Sequence, residues 1–527
     1  MKKSIVIFGL IVGLSAVTAC SKQSKVSGKI ELFDFTKSTS YYRSLRLNGG
    51  YKAEQFSRIK TDTGTYFAIT DVKTVVVPVD FTDYLGSDTL KGEEGYKADL
   101  EAAILGDGSG TSWESLKSFY YKSSHGQCNI DGVVTDFYHT GMTAAQFAKY
   151  GSGSTYATQK LASDIADWLV DDLGMDLTQY DANKDGAIDS LIMIYTAPYH
   201  VKNIDNDLYW AFCWSNSGAK LNDYRPDAYR FFWASYQFFY EAGYYDDAGE
   251  HQEWTDEDIS SGRALPDSHT LIHEFGHVLS LPDYYCQANT ENNYDPLMKL
   301  DMMAYNIGDH NSWSKAVYGW HAPYVVSGNG TLTLNSTTDT GEFAIIPIQG
   351  KFNNTMLDQF LMLEFMTPTG VCTKDATEPL YSQGSRYPRW YTEAGVRAIL
   401  VDARPGIFTY NSATSSYTFA GFTSSVNPPE NGYVSLANDN NDPSRSSFTT
   451  YKLLELVSAT GTTAKYLNRE AKDVDLFKQG DKFGIKGGVW EDFQCDGKNG
   501  ERNTSLGLGF EIKKMTDSSV TIKFSTL

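Results

Sequence analysis

Two histidines and a glutamate stand close together in the sequence at a spacing that suits metal chemistry. They are His273, Glu274 and His277, in the pattern H-E-x-x-H. On a helix, side chains four residues apart lie on one face, so both imidazoles can reach one metal ion. Glu274 then stands where it can take a proton from a metal-bound water. The alternative is an amphipathic core helix with two incidental histidines, because only three residues define the pattern.

A catalytic zinc site needs a third ligand, since three side chains hold the metal and leave one position for water. Asp283 lies six residues after His277, directly behind Pro282. Proline stops a helix, and a chain that turns back there can bring the Asp283 carboxylate to the metal. We assign none of the seven other histidines to the metal, because a lone histidine is more often a surface or core residue.

The elements around this motif follow from hydrophobic periodicity. Leu271, Phe275 and Val278 recur at helical spacing, and Asp267 or Ser268 can cap the start of that helix. Upstream, the pattern predicts helices over 113–121 and 158–173. It predicts strands over 74–81, 130–137, 191–195 and 230–239.

A second metal-binding pattern precedes the helix. Oxygen-bearing side chains occupy positions 1, 3, 5 and 9 of a loop with glycine at position 6, as in an EF-hand-like calcium loop. The predicted calcium ligands are Asp181, Asn183, Asp185, the carbonyl of Ala187, and Asp189. Ile192 replaces the usual bidentate glutamate, so a further carboxylate is needed, and Asp176 is one candidate. The alternative is a turn held by side-chain to backbone hydrogen bonds.

Five segments resemble the immune inhibitor A family of secreted bacterial zinc metallopeptidases. They are VVVPVDFTD, SFYYKSSHGQCNIDGVVTDFY, YDANKDGAIDSLIMIY, HEFGHVLSLPDYY and LDMMAYNIGDHNSWSKAVYGW, in family order from about residue 74 to 320. One position departs from the family pattern H-E-x-x-H-x-x-G-x-x-D, because Ser280 stands where the family has glycine. Glycine tolerates a left-handed turn that serine adopts only at a cost.

The resemblance implies a metzincin-like α/β (α+β) fold, a zinc ion held by His273, His277 and Asp283, and protein or peptide substrates. It also implies a methionine turn beneath the metal, which we place at Met303, with Met302 and Met298 as alternatives. Tyr305 is then the candidate hydrogen-bond donor to the developing oxyanion. Such enzymes pair the extended substrate with an edge strand near the metal helix, and 230–239 is the candidate. The alternative, for most aromatic side chains of this stretch, is a place in the hydrophobic core.

The amino terminus predicts export and a lipid anchor. Lys2 and Lys3 precede a short apolar run, and Val17-Thr-Ala-Cys20 resembles a bacterial lipoprotein cleavage box. We therefore predict a signal peptide over 1–19 and lipidation of Cys20, which places the protein in the bacterial cell envelope, outside the cytoplasm. An ordinary signal peptide with a chance cysteine is the alternative.

Length and composition limit the remaining choices. The 527 residues suggest more than one domain, and the net charge of −20 argues against a nucleic-acid partner. Five cysteines remain after Cys20, an odd number without a C-x-x-C pair, which favours isolated thiols. From about Pro323 short alternating runs predict an all-β, sandwich-like domain. The predicted division is a tether over 20–69, a catalytic domain over 70–325 and a β-domain over 326–527.

These observations predict a membrane-anchored zinc metalloendopeptidase with a structural calcium ion. The main alternative is a surface binding or adhesion lipoprotein that keeps the fold and has weak or no activity. The intact Glu274 favours the enzyme, because a binding module has no use for a general base. A metal hydrolase that acts on something other than protein is the second alternative.

Overall fold

The first long strand, β3 (Asp71–Asp80), is buried from Thr74 to Asp80 and lies inside a six-stranded sheet, here called the N-terminal sheet. Its near-continuous valine run suits a parallel strand that is covered on both faces. The strand order is β4-β3-β6-β8-β7, with β5 also beside β3. All pairs are parallel except β7 with β8. The other strands are β4 (Asn129–Val134), β5 (Tyr138–His139), β6 (Ser190–Tyr195), β7 (Phe212–Ser215) and β8 (Arg230–Ser235).

Helices cover both faces of the N-terminal sheet. One face packs on the long helix α4, and the other packs on α2 and α6, the helix that carries the H-E-x-x-H motif. The helices before residue 280 are α1 (Gly92–Leu100), α2 (Leu116–Ser123), α3 (Ala144–Phe147), α4 (Ser154–Asp171), α5 (Asp256–Ser260) and α6 (His269–Val278). A mixed α/β arrangement with several sheets is therefore present, as expected.

A nine-stranded sheet, here called the C-terminal sheet, forms most of the second half. Its order is β20-β16-β13-β12-β11-β25-β24-β21, and β1 pairs with β11, so the amino-terminal strand belongs to this sheet. Its strands are β1 (Val26–Leu32), β11 (Tyr324–Asn335), β12 (Phe343–Pro347), β13 (Gln359–Met366), β16 (Gly395–Asp402), β20 (Leu454–Leu456), β21 (Lys482–Phe483), β24 (Leu508–Met515) and β25 (Ser519–Thr526).

Shorter elements complete the chain. A four-stranded sheet has the order β18-β17-β19-β2, and three two-stranded pairs join β9 with β10, β14 with β15 and β22 with β23. The strands are β2 (Tyr51–Lys52), β9 (Tyr244–Tyr245), β10 (His251–Gln252), β14 (Tyr381–Ser382), β15 (Ser385–Arg386), β17 (Pro405–Asn411), β18 (Ser416–Phe422), β19 (Gly432–Leu436), β22 (Gln494–Cys495) and β23 (Thr504–Ser505). The helices are α7 (Met302–Tyr305), α8 (Ser312–Val317), α9 (Thr337–Thr340), α10 (Thr373–Thr377) and α11 (Ala464–Leu467).

The two sheets share one hydrophobic core. The largest cluster of buried side chains contains Leu271 and Phe275 of α6 together with Met362, Trp390 and Ile399, which lie beyond residue 325. Two indole hydrogen bonds also join residues on the two sides of position 325. Trp113 donates to the carbonyl of Val371 at 3.1 Å, and Trp313 donates to the carbonyl of Met356 at 2.9 Å. The motif helix is therefore covered by residues from both sides of position 325.

The prediction of a strand over 230–239 is correct for residues 230–235 and wrong for the rest. Residues 230–235 form β8, but Tyr236–Phe239 form a 3₁₀ turn, because the Ser235 hydroxyl accepts a hydrogen bond from the amide of Gln237 and starts that turn. β8 is also an interior strand, and β7 lies at the edge next to it. The candidate edge strand near the motif helix is therefore β7.

The computed structural model describes residues 26–35, 51–52, 70–150, 154–202, 204, 208–286, 294–411, 413–414, 416–422, 432–441, 452–495 and 504–527. Cys20 and the predicted signal peptide lie outside these ranges. Among the helices in these ranges, none has the length and apolar character needed to cross a membrane.

Candidate metal centre

The helix α6 places both motif histidines against the core. Every residue of His269–Val278 except Thr270 is buried, and the apolar side chains predicted to form its inner stripe lie in the shared core. Asp267 caps the start, since its Oδ1 accepts from the amide of His269 at 3.0 Å, whereas the Ser268 hydroxyl donates to the carbonyl of Ala103.

A tight turn ends α6 and reverses the chain. The amide of Ser280 donates to the carbonyl of His277, and the amide of Leu281 donates to the carbonyl of Gly276, both at 2.9 Å. This is a Schellman motif, in which the residue after the helix adopts a left-handed conformation. Ser280 has that conformation, with φ of 80°. The serine therefore keeps the turn that glycine would make, at a conformational cost.

The turn brings Asp283 back to the two histidines. Asp283 Oδ1 lies 3.1 Å from Nε2 of His273 and 3.1 Å from Nε2 of His277. The three ligand atoms all lie within 4.8 Å of one another. Within the described ranges, no other group of three histidine, cysteine, aspartate or glutamate side chains is gathered in this way.

Backbone carbonyls fix the orientation of both imidazole rings. Nδ1 of His273 donates to the carbonyl of Met302 at 2.9 Å, and Nδ1 of His277 donates to the carbonyl of Leu281 at 2.8 Å. When Nδ1 carries the proton, the Nε2 lone pair is free to bind a metal. The donor set of two imidazoles and one carboxylate fits a catalytic zinc ion.

The electrostatics of these groups favour a cation. Burial lowers the pKa of His277, but the Asp283 carboxylate outweighs burial and raises the pKa to about 9. Burial would raise the pKa of Asp283, yet His277 and His273 hold it well below its usual range. A divalent cation can take the place of the imidazole protons when it binds.

Glu274 is buried beside these three side chains, and its Oε2 has no hydrogen-bond partner among the described residues. Burial raises the pKa of the Glu274 carboxyl, although His277 and His273 oppose the rise. A buried carboxylate oxygen without a partner is costly. A site that admits a polar ligand explains such an oxygen, because the ligand would supply the missing hydrogen bond.

The predicted methionine turn lies against the motif helix. A Cβ atom on Gly276 would overlap the sulfur of Met303, so the methionine side chain packs directly on the helix backbone. The carbonyl of Met303 also accepts from the amide of Tyr284, next to Asp283, at 2.7 Å. The Tyr305 hydroxyl instead points to Asp295 and donates to its Oδ2 at 3.4 Å.

Arg230, which sequence reasoning did not select, holds the end of α6. Its Nη1 donates to the carbonyl of His277 at 2.8 Å, and its Nη2 lies 3.5 Å from the hydroxyl of Ser280. No local motif marks this arginine, because only the pairing of β8 beside the helix brings it there.

The predicted calcium loop has an ordered backbone. Asp181 accepts hydrogen bonds from the amides of Asp185 and Gly186, both at 3.0 Å, and Gly186 is left-handed with φ of 82°. Burial raises the pKa of Asp189 to about 6, and Asp181 and Asp185 add to the rise.

The remaining loop oxygens bond to backbone. The Asn183 side chain accepts from the amide of Asp185, Asp185 accepts from the amide of Ala187, and Asp189 accepts from the amides of Lys73 and Ala182. Asp176 caps its own 3₁₀ turn by accepting from Thr178. These bonds are compatible with a turn alone as well as with a cation loop.

Residues 69–190 match the family model described as immune inhibitor A peptidase M6, catalytic domain. The match confirms the resemblance that the sequence motifs indicated. It spans β3 to the first residue of β6 and ends before the helix that carries His273. No curated protein matches the chain. The family match implies a metallopeptidase, which acts on protein or peptide substrates.

Proposed function

We propose that the protein is a zinc metalloendopeptidase whose metal ligands are His273, His277 and Asp283. The observation that carries this proposal is the convergence of their three ligand atoms beside the buried, unbonded Oε2 of Glu274. Two imidazoles and a carboxylate are suitable ligands for zinc and leave a coordination position free. The match to a metallopeptidase family gives the reaction class.

Each side chain has a distinct role in the proposed reaction. Zinc held by the three ligands would supply Lewis-acid polarisation of the scissile carbonyl and of the attacking water. Glu274 accepts the proton of that water and passes it to the leaving amine, and its raised pKa suits both steps. The backbone carbonyls of Met302 and Leu281 keep the imidazoles in the tautomer that leaves Nε2 free.

Two further roles complete the proposal. β7 lies at the edge of the N-terminal sheet and contacts α6, so an extended substrate can add to it as a further antiparallel strand. Tyr305 serves as the oxyanion donor if its hydroxyl leaves Asp295 when substrate binds.

The site variants test the proposed reaction. The protein expressed from residue 21 should hydrolyse casein or gelatin, and a zinc chelator should abolish the activity. Glu274→Ala should lower hydrolysis by at least about 10²-fold and keep the zinc, because Glu274 is a base and not a ligand. His273→Ala, His277→Ala and Asp283→Ala should lose zinc as well as activity. A wild-type protein that holds zinc and cleaves no protein substrate would favour the adhesion alternative.

We place this enzyme in the bacterial cell envelope, anchored by lipid on Cys20. The support is the basic start, the apolar run and the small residues before Cys20. Cys20→Ala should release the protein from the membrane fraction or leave it unprocessed, whereas Cys495→Ala, which removes a buried thiol far along the chain, should not. Equal processing and membrane association of Cys20→Ala and wild type would exclude the anchor.

A structural calcium ion at Asp181, Asn183, Asp185, Ala187 and Asp189 is the second part of the proposal. The spacing of the oxygen ligands and the left-handed Gly186 support it. The raised pKa of Asp189 beside two other carboxylates also favours a bound cation, which would offset their mutual repulsion.

A further inference from the structure

The segment Leu300–Ser312, here called the methionine-turn segment, is held at three points by side chains that lie beyond residue 325. Arg397 of β16 donates from Nη1 to the carbonyl of Leu300 at 3.2 Å. Glu364 of β13 accepts from the amide of Ser312 at 2.7 Å. Asp375 of α10 accepts from the amide of Gly308 at 2.5 Å. All three side chains are buried, with 1% of their surface exposed.

Two of these side chains form an ion pair inside the core. Glu364 and Arg397 face each other across the antiparallel pair β13 and β16, and Oε2 lies 2.7 Å from Nε. A buried ion pair is weak evidence for stability, because apolar residues of similar volume often stabilise as well or better. The remaining polar atoms of this pair satisfy two buried backbone groups at the two ends of the methionine-turn segment, which apolar residues could not do.

The methionine-turn segment in turn contacts the metal ligands. The carbonyl of Met302 accepts from Nδ1 of His273, and the carbonyl of Met303 accepts from the amide of Tyr284, next to Asp283. A displacement of this segment would therefore disturb the orientation of the His273 ring and the position of the chain next to Asp283. Such partners of metal ligands typically change metal affinity or activity by about 10–100-fold when they are lost.

Asp375 adds a second connection, to the start of α6. Its Oδ1 lies 3.3 Å from Nε2 of His269, in the first turn of the helix that carries His273 and His277. One carboxylate thus joins the motif helix and the methionine-turn segment, and it belongs to neither.

We propose that Glu364, Arg397 and Asp375 are positioning residues of the metal centre. The C-terminal sheet and α10 use these three side chains to hold the methionine-turn segment where its carbonyl orients His273. This inference rests on the proposed function, since that proposal assigns the metal ligands.

The test compares two substitutions of one carboxylate with a matched control. Asp375→Ala removes both hydrogen bonds. Asp375→Asn keeps an acceptor for the amide of Gly308, but its NH2 group replaces the oxygen that faces Nε2 of His269, so it retains the hold on the methionine-turn segment and loses the link to α6. Asp475→Ala is the control, because Asp475 is also fully buried, and its side chain accepts from Ser458, Arg469 and Lys472 instead of from the methionine-turn segment.

Three measurements are made on each purified protein: the melting temperature, the zinc dissociation constant by competition with a chromophoric chelator, and the absorption spectrum with cobalt(II) in place of zinc. We expect Asp375→Ala to weaken zinc binding about 10–100-fold and to alter the cobalt spectrum. Asp375→Asn should weaken zinc binding less than Asp375→Ala does, because its hydrogen bond with the amide of Gly308 remains. Asp475→Ala should lower the melting temperature and leave zinc affinity and the cobalt spectrum unchanged.

Equal zinc affinities for Asp375→Ala and Asp475→Ala would overturn the inference and leave the proposed function intact. A wild-type protein that binds no zinc would overturn the proposed function, and the inference with it. If Asp375→Ala does not fold, Arg397→Lys decides instead. Its ammonium keeps the charge beside Glu364 but lacks the planar fork that spans Glu364 and the carbonyl of Leu300. Unchanged zinc affinity in Arg397→Lys would then reject the positioning role.

Discussion

His269 lies one helical turn before His273, and carboxylates fix it on both sides. Its Nδ1 is 2.7 Å from Asp267, its Nε2 is 3.3 Å from Asp375, and its ring stacks on Trp113 at 3.9 Å. Burial lowers the pKa of His269, but the two carboxylates outweigh burial and raise the pKa to about 9. The residue is therefore an imidazolium at neutral pH, paired with two buried anions.

This pairing predicts a pH-dependent stability. The unfolded pKa of histidine is about 6.5, so the folded state binds the proton more tightly and gains stability that is fully present below that pH. The gain, roughly 3 kcal/mol at about 1.4 kcal/mol per pKa unit, should disappear as the pH rises through about 9. Urea unfolding at pH 6 and at pH 9.5 measures this change in the free energy of unfolding. Between these two pH values wild type should lose this stability, whereas His269→Gln should not, because it lacks the imidazolium. His139→Gln, which changes an exposed histidine, is the control. Parallel pH profiles for wild type and His269→Gln would contradict the assignment.

At the scale of elements, the turn after α6 carries backbone strain at Ser280. The left-handed conformation costs a non-glycine residue roughly 1–2 kcal/mol, and φ of Ser280 is 80°. Ser280→Gly should therefore raise the free energy of unfolding by roughly 1 kcal/mol, since the gain in backbone freedom of the unfolded chain offsets part of the relief. Zinc affinity should stay the same, because backbone groups make the two hydrogen bonds that form the turn, and Arg230 keeps its shorter bond to the carbonyl of His277 when the long contact with the Ser280 hydroxyl is lost.

A matched substitution separates strain relief from other effects of glycine. Ser261 ends α5 with φ of −79°, a conformation that serine adopts without strain. Ser261→Gly should thus lower stability slightly or leave it unchanged. A Ser280→Gly protein that melts no higher than Ser261→Gly would show that the turn is not strained.

The predicted calcium loop gives the second prediction at this scale. If calcium binds only the folded protein, it should stabilise wild type by about 2.7 kcal/mol at a hundredfold excess over Kd. Asp181→Ala should abolish the calcium-dependent rise in melting temperature. Asp107→Ala is the control, because that carboxylate accepts from the amide and hydroxyl of Ser109 in a turn of its own and is not part of the predicted calcium loop. An identical melting temperature of wild type with calcium and with a calcium chelator would show that the loop is only a turn.

Spacing in the sequence could predict only those residues of the candidate site that lie close together along the chain. His273, Glu274, His277 and Asp283 lie within eleven residues, and one helix and one turn bring them together, so spacing was informative. The mixed α/β character of the chain also followed from periodicity, and the alternating runs after about Pro323 predicted that this part is rich in β-strands.

Residues that reach the candidate site from elements distant in sequence belong to no local motif that could have identified them. Arg230, Glu364, Asp375 and Arg397 reach the site only through strand register and through packing of the C-terminal sheet on α6. Local propensity also failed at Tyr236–Phe239, where an aromatic run that favours strand is overridden by the Ser235 hydrogen bond. Register and tertiary packing are set by contacts distant in sequence, which periodicity does not contain.

At the scale of the whole molecule, the shared core joins the two predicted domains. Side chains on both sides of the boundary at 325/326 occupy one cluster, and the indoles of Trp113 and Trp313 donate to carbonyls beyond it. The strand β1 pairs with β11, which itself runs across this boundary. The C-terminal sheet thus covers the methionine-turn segment and the motif helix, and removing it would expose their apolar faces.

Truncation of the chain after residue 325 should therefore abolish cooperative folding. Unpairing β1 and exposing one side of the shared core removes much of the apolar burial that stabilises a domain, whose net stability is only about 5–15 kcal/mol. We expect the fragment 21–325 to be insoluble, or to show no cooperative thermal transition and no near-ultraviolet circular dichroism, while 21–527 shows both. The fragment should also bind zinc weakly, because Glu364, Asp375 and Arg397 are missing from it. A soluble fragment that melts cooperatively near the temperature of the longer protein and binds zinc equally well would show that residues 21–325 fold alone.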